Sequence, residues 1–197
     1  MKRPDLTRAA SLLALVAAGA LPGCYHGSAR SVSARELNRQ AGWVFVSGVP
    51  MVRQSSLRDC GAAALAMVLG RWGTPESSSA EIAKALPVDA AHGIAAGALR
   101  DLARKKGLRA FLIAGELADL EREIGLDRPV LVGLVQHYGD KDLSHFEVVV
   151  GINPHARRVL MFDPARGQRE DGFDGFASEW NRAGRLAIVV APASVPG

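Results

Sequence analysis

The chain has 197 residues, 48% hydrophobic and 22% charged, with a formal charge of +4 and two cysteines. These proportions are ordinary for a globular protein, and the length suits one domain with a sizeable core. The basic excess forms no stripe that would bind nucleic acid, and the sequence has no Gly-x-x-x-x-Gly-Lys-Ser/Thr loop, second apolar span or internal repeat, which excludes an ATPase or a transporter.

Lys2, Arg3 and Arg8 precede an apolar run from Ala9 to Leu21. That run is shorter than the ~20 residues a bilayer-spanning helix needs, and the pattern is that of a secretory signal. Leu21-Pro22-Gly23-Cys24 resembles a bacterial lipobox, with Pro22 where a small residue is usual. The resemblance implies cleavage after residue 23 and lipidation of Cys24, hence an exported, membrane-anchored lipoprotein facing the periplasm or the cell exterior. The alternatives are a secreted chain with an unmodified Cys24 and an uncleaved anchor. Cleavage would lower the formal charge to +2 and leave Cys60 as the sole free thiol. An unpaired thiol in an oxidising compartment is either a small buried apolar group or a reactive one.

Residues 24–41 are polar and read as a tether, with a folded domain over 42–197. Trp43 to Val46 suits a short strand, and Gly48-Val49-Pro50 a turn. From Cys60 to Leu69 nearly every residue is apolar and most are small, the signature of a helix buried all round. Asp59 stands at its N-cap, and Gly70 and Gly73 are stop signals. Ser78 and Glu81 have capping-box spacing for a second helix through Leu86, ended by Pro87. A third helix fits 94–106, with Leu99 and Leu102 inward, Arg104-Lys105-Lys106 in its last turn and Gly107 as its stop. Strands follow over 108–113, 129–135, 146–152, 159–162 and 186–190, with a short helix over 116–124. Helices first and strands afterwards predict an α+β fold with a mostly antiparallel sheet.

Two strands flank Asn153-Pro154-His155-Ala156-Arg157, so a hairpin is expected there. A turn centred near residue 154 would put His145 directly opposite Asp163. A carboxylate beside a histidine orients the ring and stabilises its imidazolium. That imidazolium, set against Cys60 at the front of a helix, would favour a thiolate. Asp59 opposes this unless its side chain points away or caps the helix. Gly61 would clear space for a substrate carbonyl. Gln54 could supply an amide N–H to an oxyanion, joined by the backbone N–H of Cys60.

Gln54-x5-Cys60, within Gln-x4-Asp-Cys-Gly-x-Ala-x-Leu, resembles the active-site segment of the C39 family of cysteine peptidases. His145-Phe146 leading into Val148-Val149-Val150-Gly151-Ile152 resembles that family's histidine strand. Phe162-Asp163-Pro164-Ala165-Arg166-Gly167 resembles its aspartate segment. The resemblance spans roughly residues 50–190. It implies a papain-like peptidase domain, known from leader-processing bacteriocin exporters, with helices packed on the sheet. By the resemblance Cys60 is nucleophile, His145 general base and acid, Asp163 the group orienting His145, and Gln54 part of the oxyanion hole. It also implies a peptide or protein substrate, a possible export-system partner and no cofactor. Glu147 departs from the family pattern, because it interrupts an apolar stretch on the strand face that carries His145. The family's usual export domains are absent from the sequence.

Two other functions fit a lone thiol and a histidine. One is a murein endopeptidase of the NlpC/P60 type, although that family has Asp-Cys-Ser-Gly where this chain has Asp-Cys-Gly-Ala. The other is a non-catalytic, C39-like peptide-docking module. His137, Asp140, Asp142 and His145 could in principle hold zinc, but no tight ligand motif links them and a solvated hairpin end explains them, so no metal is expected. His26, His92 and His155 read as surface residues, and Trp72 and Trp180 as packing.

Overall fold

A computed structural model describes residues 25–39, 41–89 and 93–193. The segment read as a signal sequence, Cys24 and His92 lie outside the described residues. In chain order the elements are β1 (Arg30–Ser31), α1 (Ala34–Leu37), β2 (Val44–Phe45), α2 (Cys60–Arg71), α3 (Ser79–Ala85), α4 (Ala96–Lys105) and β3 (Leu108–Ala114). Then come α5 (Leu117–Gly125), β4 (Val130–Tyr138), β5 (Lys141–Asn153), β6 (Arg158–Asp163), β7 (Gly167–Gly172), α6 (Phe173–Arg182) and β8 (Leu186–Pro192). The strands form one antiparallel sheet in the order β1-β7-β6-β5-β4-β8-β3, with β2 on β5. This is the α+β architecture expected from the sequence.

Successive residues of a strand face opposite sides of a sheet, and here both sides are covered. Leu131, Val148, Val150, Leu160 and Ile188 pack with α2, α3 and α4. Val130, Val132, Val149, Met161 and Val189 pack with α5 and α6. Helix α2 lies deepest: every residue from Cys60 to Leu69 is buried, and alanine at 62, 63, 64 and 66 keeps it slim enough to fit. Ser78 and Glu81 close the expected capping box on α3, which stops before the extended Leu86. Gly107, at φ +84°, ends α4 in a conformation that favours glycine.

Three features differ from expectation. First, the β5–β6 register sets Val148 opposite Phe162, with a bulge between Val149 and Gly151 and a loop of residues 154–157. Continuing that register brings Glu147, not His145, opposite Asp163. The physical reason is the four-residue loop, braced by the Ala156 N–H on Asn153 Oδ1 at 3.0 Å, together with the bulge.

Second, residues 25–37, expected as a tether, lie on the domain. Strand β1 adds to the edge of β7, with Ser31 opposite Arg169, and Ala29, Val32 and Leu37 are buried. Gly27 and Gly175 mark the closest approach of this segment to α6. A Cβ at Gly27 would collide with Tyr25 and Glu179, and one at Gly175 with Ser28.

Third, β7 and α6 were not foreseen. Gln168-Arg169-Glu170-Asp171 has the composition of a solvated turn, but Arg169, Glu170 and Asp171 are buried among partners that include Arg30, Arg158 and Ser28.

Leu65, with no exposed surface at the centre of α2, is an anchor of this arrangement. Leu65→Ala is expected to destabilise the protein by about 2–5 kcal/mol, measured by urea denaturation followed by circular dichroism.

Candidate active site

Beyond Glu147, towards its N-terminal end, β5 pairs only with β4, because β6 stops at Asp163. The loop before α2 comes to this open edge. The Gln54 N–H donates to the Pro164 carbonyl at 3.0 Å, and Arg53 Nη2 donates to the Ala165 carbonyl at 2.7 Å. The head of α2 is thereby fixed beside the β6–β7 turn.

Asp59 does not cap α2 with its side chain. Its carboxylate turns back into the loop, accepting from Ser55 N–H at 3.1 Å, from the Ser55 hydroxyl and from Ser56 N–H at 2.9 Å. Its charge is thus spent on shaping the loop. Gly61 has a different use from the one expected. A Cβ there would stand 3.2 Å from both Leu99 and Phe146, so glycine permits close packing of α2 on β5 and α4 rather than room for a substrate.

Cys60 and His145, 85 positions apart in the chain, are brought together closely enough for each to act on the other's ionisation. His145 Nε2 bonds Asp163 Oδ1 at 2.8 Å, which leaves Nδ1 for the sulfur. His145 reaches Asp163 diagonally, two residues along the face it shares with Glu147, a span a histidine can bridge. Asp163 Oδ1 also accepts from Ala165 N–H at 2.7 Å, and Asp163 is wholly buried.

Burial disfavours the charged form of each group, yet the pairing outweighs it. Hydrogen bonds to Asp163 and Cys60, with the charges of Glu147 and Asp163, push His145 up to about 10. The His145 hydrogen bond and charge, with the N–H groups of Phe146 and Gly61, hold the Cys60 thiol below its usual range despite burial. His145, Ala165 N–H and Arg169 likewise hold Asp163 down against burial. These directions favour a thiolate beside an imidazolium. The head of α2 adds partial positive charge and leaves the Cys60 N–H without an intrahelical acceptor.

Gln54 lies in the same loop. Its Nε2 donates to the Ser56 carbonyl at 2.8 Å, and since an amide nitrogen carries two hydrogens, one is left over. Cys60, His145 and Asp163 thus converge, with Gln54 at their margin. Cys24 lies outside the described residues.

The residues considered for zinc do not gather. His137 Nδ1 bonds Asp142 Oδ1 at 2.7 Å, and Asp142 pairs with Arg182, while His145 is engaged with Asp163. Ligand atoms of His145, Glu147 and Asp163 do lie within 4.8 Å of one another, but Arg169 Nη1 stands 3.4 Å from Glu147 and 3.3 Å from Asp163 and supplies the positive charge there. Arg169 and Gln136, whose Nε2 donates to Glu147 Oε1 at 2.7 Å, were missed by sequence reasoning. Arg169 sits in a charged run that gives no sign of burial.

Residues 48–194 match the model of the peptidase C39 family. The structure is similar to the peptidase domain of Streptococcus ComA, a bifunctional ABC transporter involved in quorum sensing. Identity there is 27%, with a TM-score of 0.62 over 73% of this chain and 98% of that one. It also shares the fold of a double glycine motif protease from an AMS/PCAT transporter, solved in complex with the leader peptide. That match has 21% identity and a TM-score of 0.59 over 76% of this chain and 94% of that one. An uncharacterized protein of Methanothermobacter marburgensis is 34% identical over 124 residues, which are 63% of this chain and 78% of its own length.

Alkylation of Cys60 with iodoacetamide, followed against pH, is expected to reach half its maximal rate below the ~8.5 of a free thiol. Asp163→Asn removes a group that holds His145 up, so the thiolate loses support and the half-point should move upward. A half-point unchanged from a free thiol would show that the pair is not ionised.

Proposed function

Because the chain belongs to the peptidase C39 family, we propose that it is a cysteine peptidase hydrolysing a peptide bond in an exported or leader-bearing polypeptide. The observation that carries this reading is the convergence of Cys60 on His145, itself hydrogen-bonded to Asp163 at 2.8 Å.

In this reading the Cys60 thiolate attacks the scissile carbonyl carbon, and a carbon–sulfur bond forms as the carbonyl electrons move to oxygen. The oxyanion is met by the Cys60 N–H and the remaining N–H of the Gln54 amide. As the carbonyl re-forms, the C–N bond breaks and the His145 imidazolium gives its proton to the leaving amine. His145 then takes a proton from water, whose oxygen attacks the thioester and releases the acid product with the thiolate restored. Asp163 keeps the ring oriented throughout and stabilises its cationic form.

The proposal extends to a lipid anchor at Cys24, which would hold the domain on the outer side of a membrane where exported polypeptides emerge. The transporter domains it resembles suggest an export system as partner, with leader peptides as the class of substrate.

The test compares the N-termini of envelope and exported proteins in cells carrying the parent chain and cells carrying Cys60→Ala. New N-termini that vanish with the variant are expected. Identical sets of N-termini, with peptide still bound by the purified domain, would make it a docking module instead. With a cleaved peptide in hand, Gln54→Ala should lower kcat by about 10²–10³ with little change in KM, as for loss of one oxyanion donor.

A further inference from the structure

Behind His145 lie two wholly buried carboxyl groups, Asp163 and Glu147. Side by side in a low-dielectric interior they repel each other, and that repulsion would protonate one or turn it aside unless a cation faced both. Arg169, 2% exposed, is that cation: its Nη1 lies 3.3 Å from Asp163 Oδ2 and 3.4 Å from Glu147 Oε1. Asp163 therefore has one oxygen on His145 and the other on Arg169.

What holds Arg169 comes from the N-terminal segment. Its Nη2 donates to the Ala29 carbonyl at 2.7 Å, and its guanidinium lies 4.6 Å from the centre of the Tyr25 ring. The Tyr25 hydroxyl is itself bonded to Glu179 of α6, and its ring tilts against Tyr138 of β4. Gly27 and Gly175 allow a fit between this segment and α6 in which neither position has room for a Cβ. All of this lies N-terminal to residues 48–194, where the family match begins, apart from its partners on β4, β7 and α6.

We infer that Arg169, clamped by Tyr25 and Ala29, is a positioning residue for the His145–Asp163 pair, so that residues 25–31 are a working part of the active site rather than a leash. The inference rests on the triad reading of Cys60, His145 and Asp163. The charged and polar groups facing the two carboxyls are His145 and Gln136 from β5 and β4, Arg169 from β7, Glu179 from α6 and Tyr25. Removing the guanidinium leaves the two buried carboxyls facing each other, so that one protonates or turns aside and the hold of Asp163 on His145 weakens. A less firmly held imidazolium raises the thiol's ionisation point.

The test is the pH profile of Cys60 alkylation in the full-length chain, resolved peptide by peptide so that Cys24 does not contribute. Arg169→Met should raise the half-point by about one pH unit, lowering the rate near neutrality by about tenfold. Arg169→Lys, which keeps the charge but not the two-sided reach, should fall between. Tyr25→Ala should shift the profile the same way by less, and Tyr25→Phe, which keeps the ring, should not. Profiles of Arg169→Met and Tyr25→Ala that superimpose on the parent's would overturn the inference. Tyr25→Ala, which leaves the guanidinium in place, decides the matter if Arg169→Met does not fold. A parental half-point equal to a free thiol's would sink the triad reading and this inference with it. A depressed parental half-point without peptide hydrolysis would sink only the peptidase reading.

Discussion

The architecture of the site depends on placing two acids and two bases where water is largely excluded. Asp163 and Glu147 are fully buried, and removing charge from water is costly unless each charge finds a partner. His145 and Arg169 are those partners, one on each side of Asp163. Glu147 has the weaker position. Burial and the charge of Asp163 push its carboxyl up, and its Oε2 has no hydrogen-bond partner. His145, the Ala165 N–H and Arg169 hold Asp163 down against burial, and its Oδ1 bonds the His145 ring.

The second constraint is where the sheet stops. Strand β5 continues for several residues after β6 has ended, and an unpaired strand edge normally invites another chain. Here the loop before α2 takes that place, tied to Pro164 and Ala165, which sets the head of α2 beside Phe146. The helices α2–α4 and the face carrying His145 lie on different sides of the sheet, so their side chains can meet only at such an edge.

The N-terminal segment changes how the chain relates to any anchor. Capping of α1 by Ser33 and Glu36, pairing of β1 with β7 and burial of Val32 and Leu37 make residues 25–37 part of the fold. A segment fixed in this way leaves little free length between position 24 and the domain. Under the proposed lipidation, the face around Tyr25 would then lie close to the membrane.

Local signals were legible wherever a residue's role is set by its near neighbours. The apolar run of α2, the capping box of α3, the glycine after α4 and the valine-rich strands all declare themselves, because propensity and burial act over a few residues. The spacing Gln54-x5-Cys60, with His145 and Asp163 in ordered blocks, pointed to side chains that the fold brings together. Their mutual register was not legible, since a bulge at Val149–Gly151 and a four-residue loop slide β5 along β6 without leaving a sequence mark. Helix α6 could have been read from Phe173, Phe176 and Trp180, which lie at helical spacing and are buried. Arg169 could not. Its burial depends on Tyr25 and Ala29, which arrive from the other end of the chain, and no window around Gln168-Arg169-Glu170 contains them. The sequence by itself therefore determined most of the helices and strands and the candidate side chains of the site, whose causes are local. Only the tertiary structure decided that Glu147, not His145, stands opposite Asp163 and what neutralises the two acids, because charges buried together are balanced by whatever the fold brings near, at any distance along the chain.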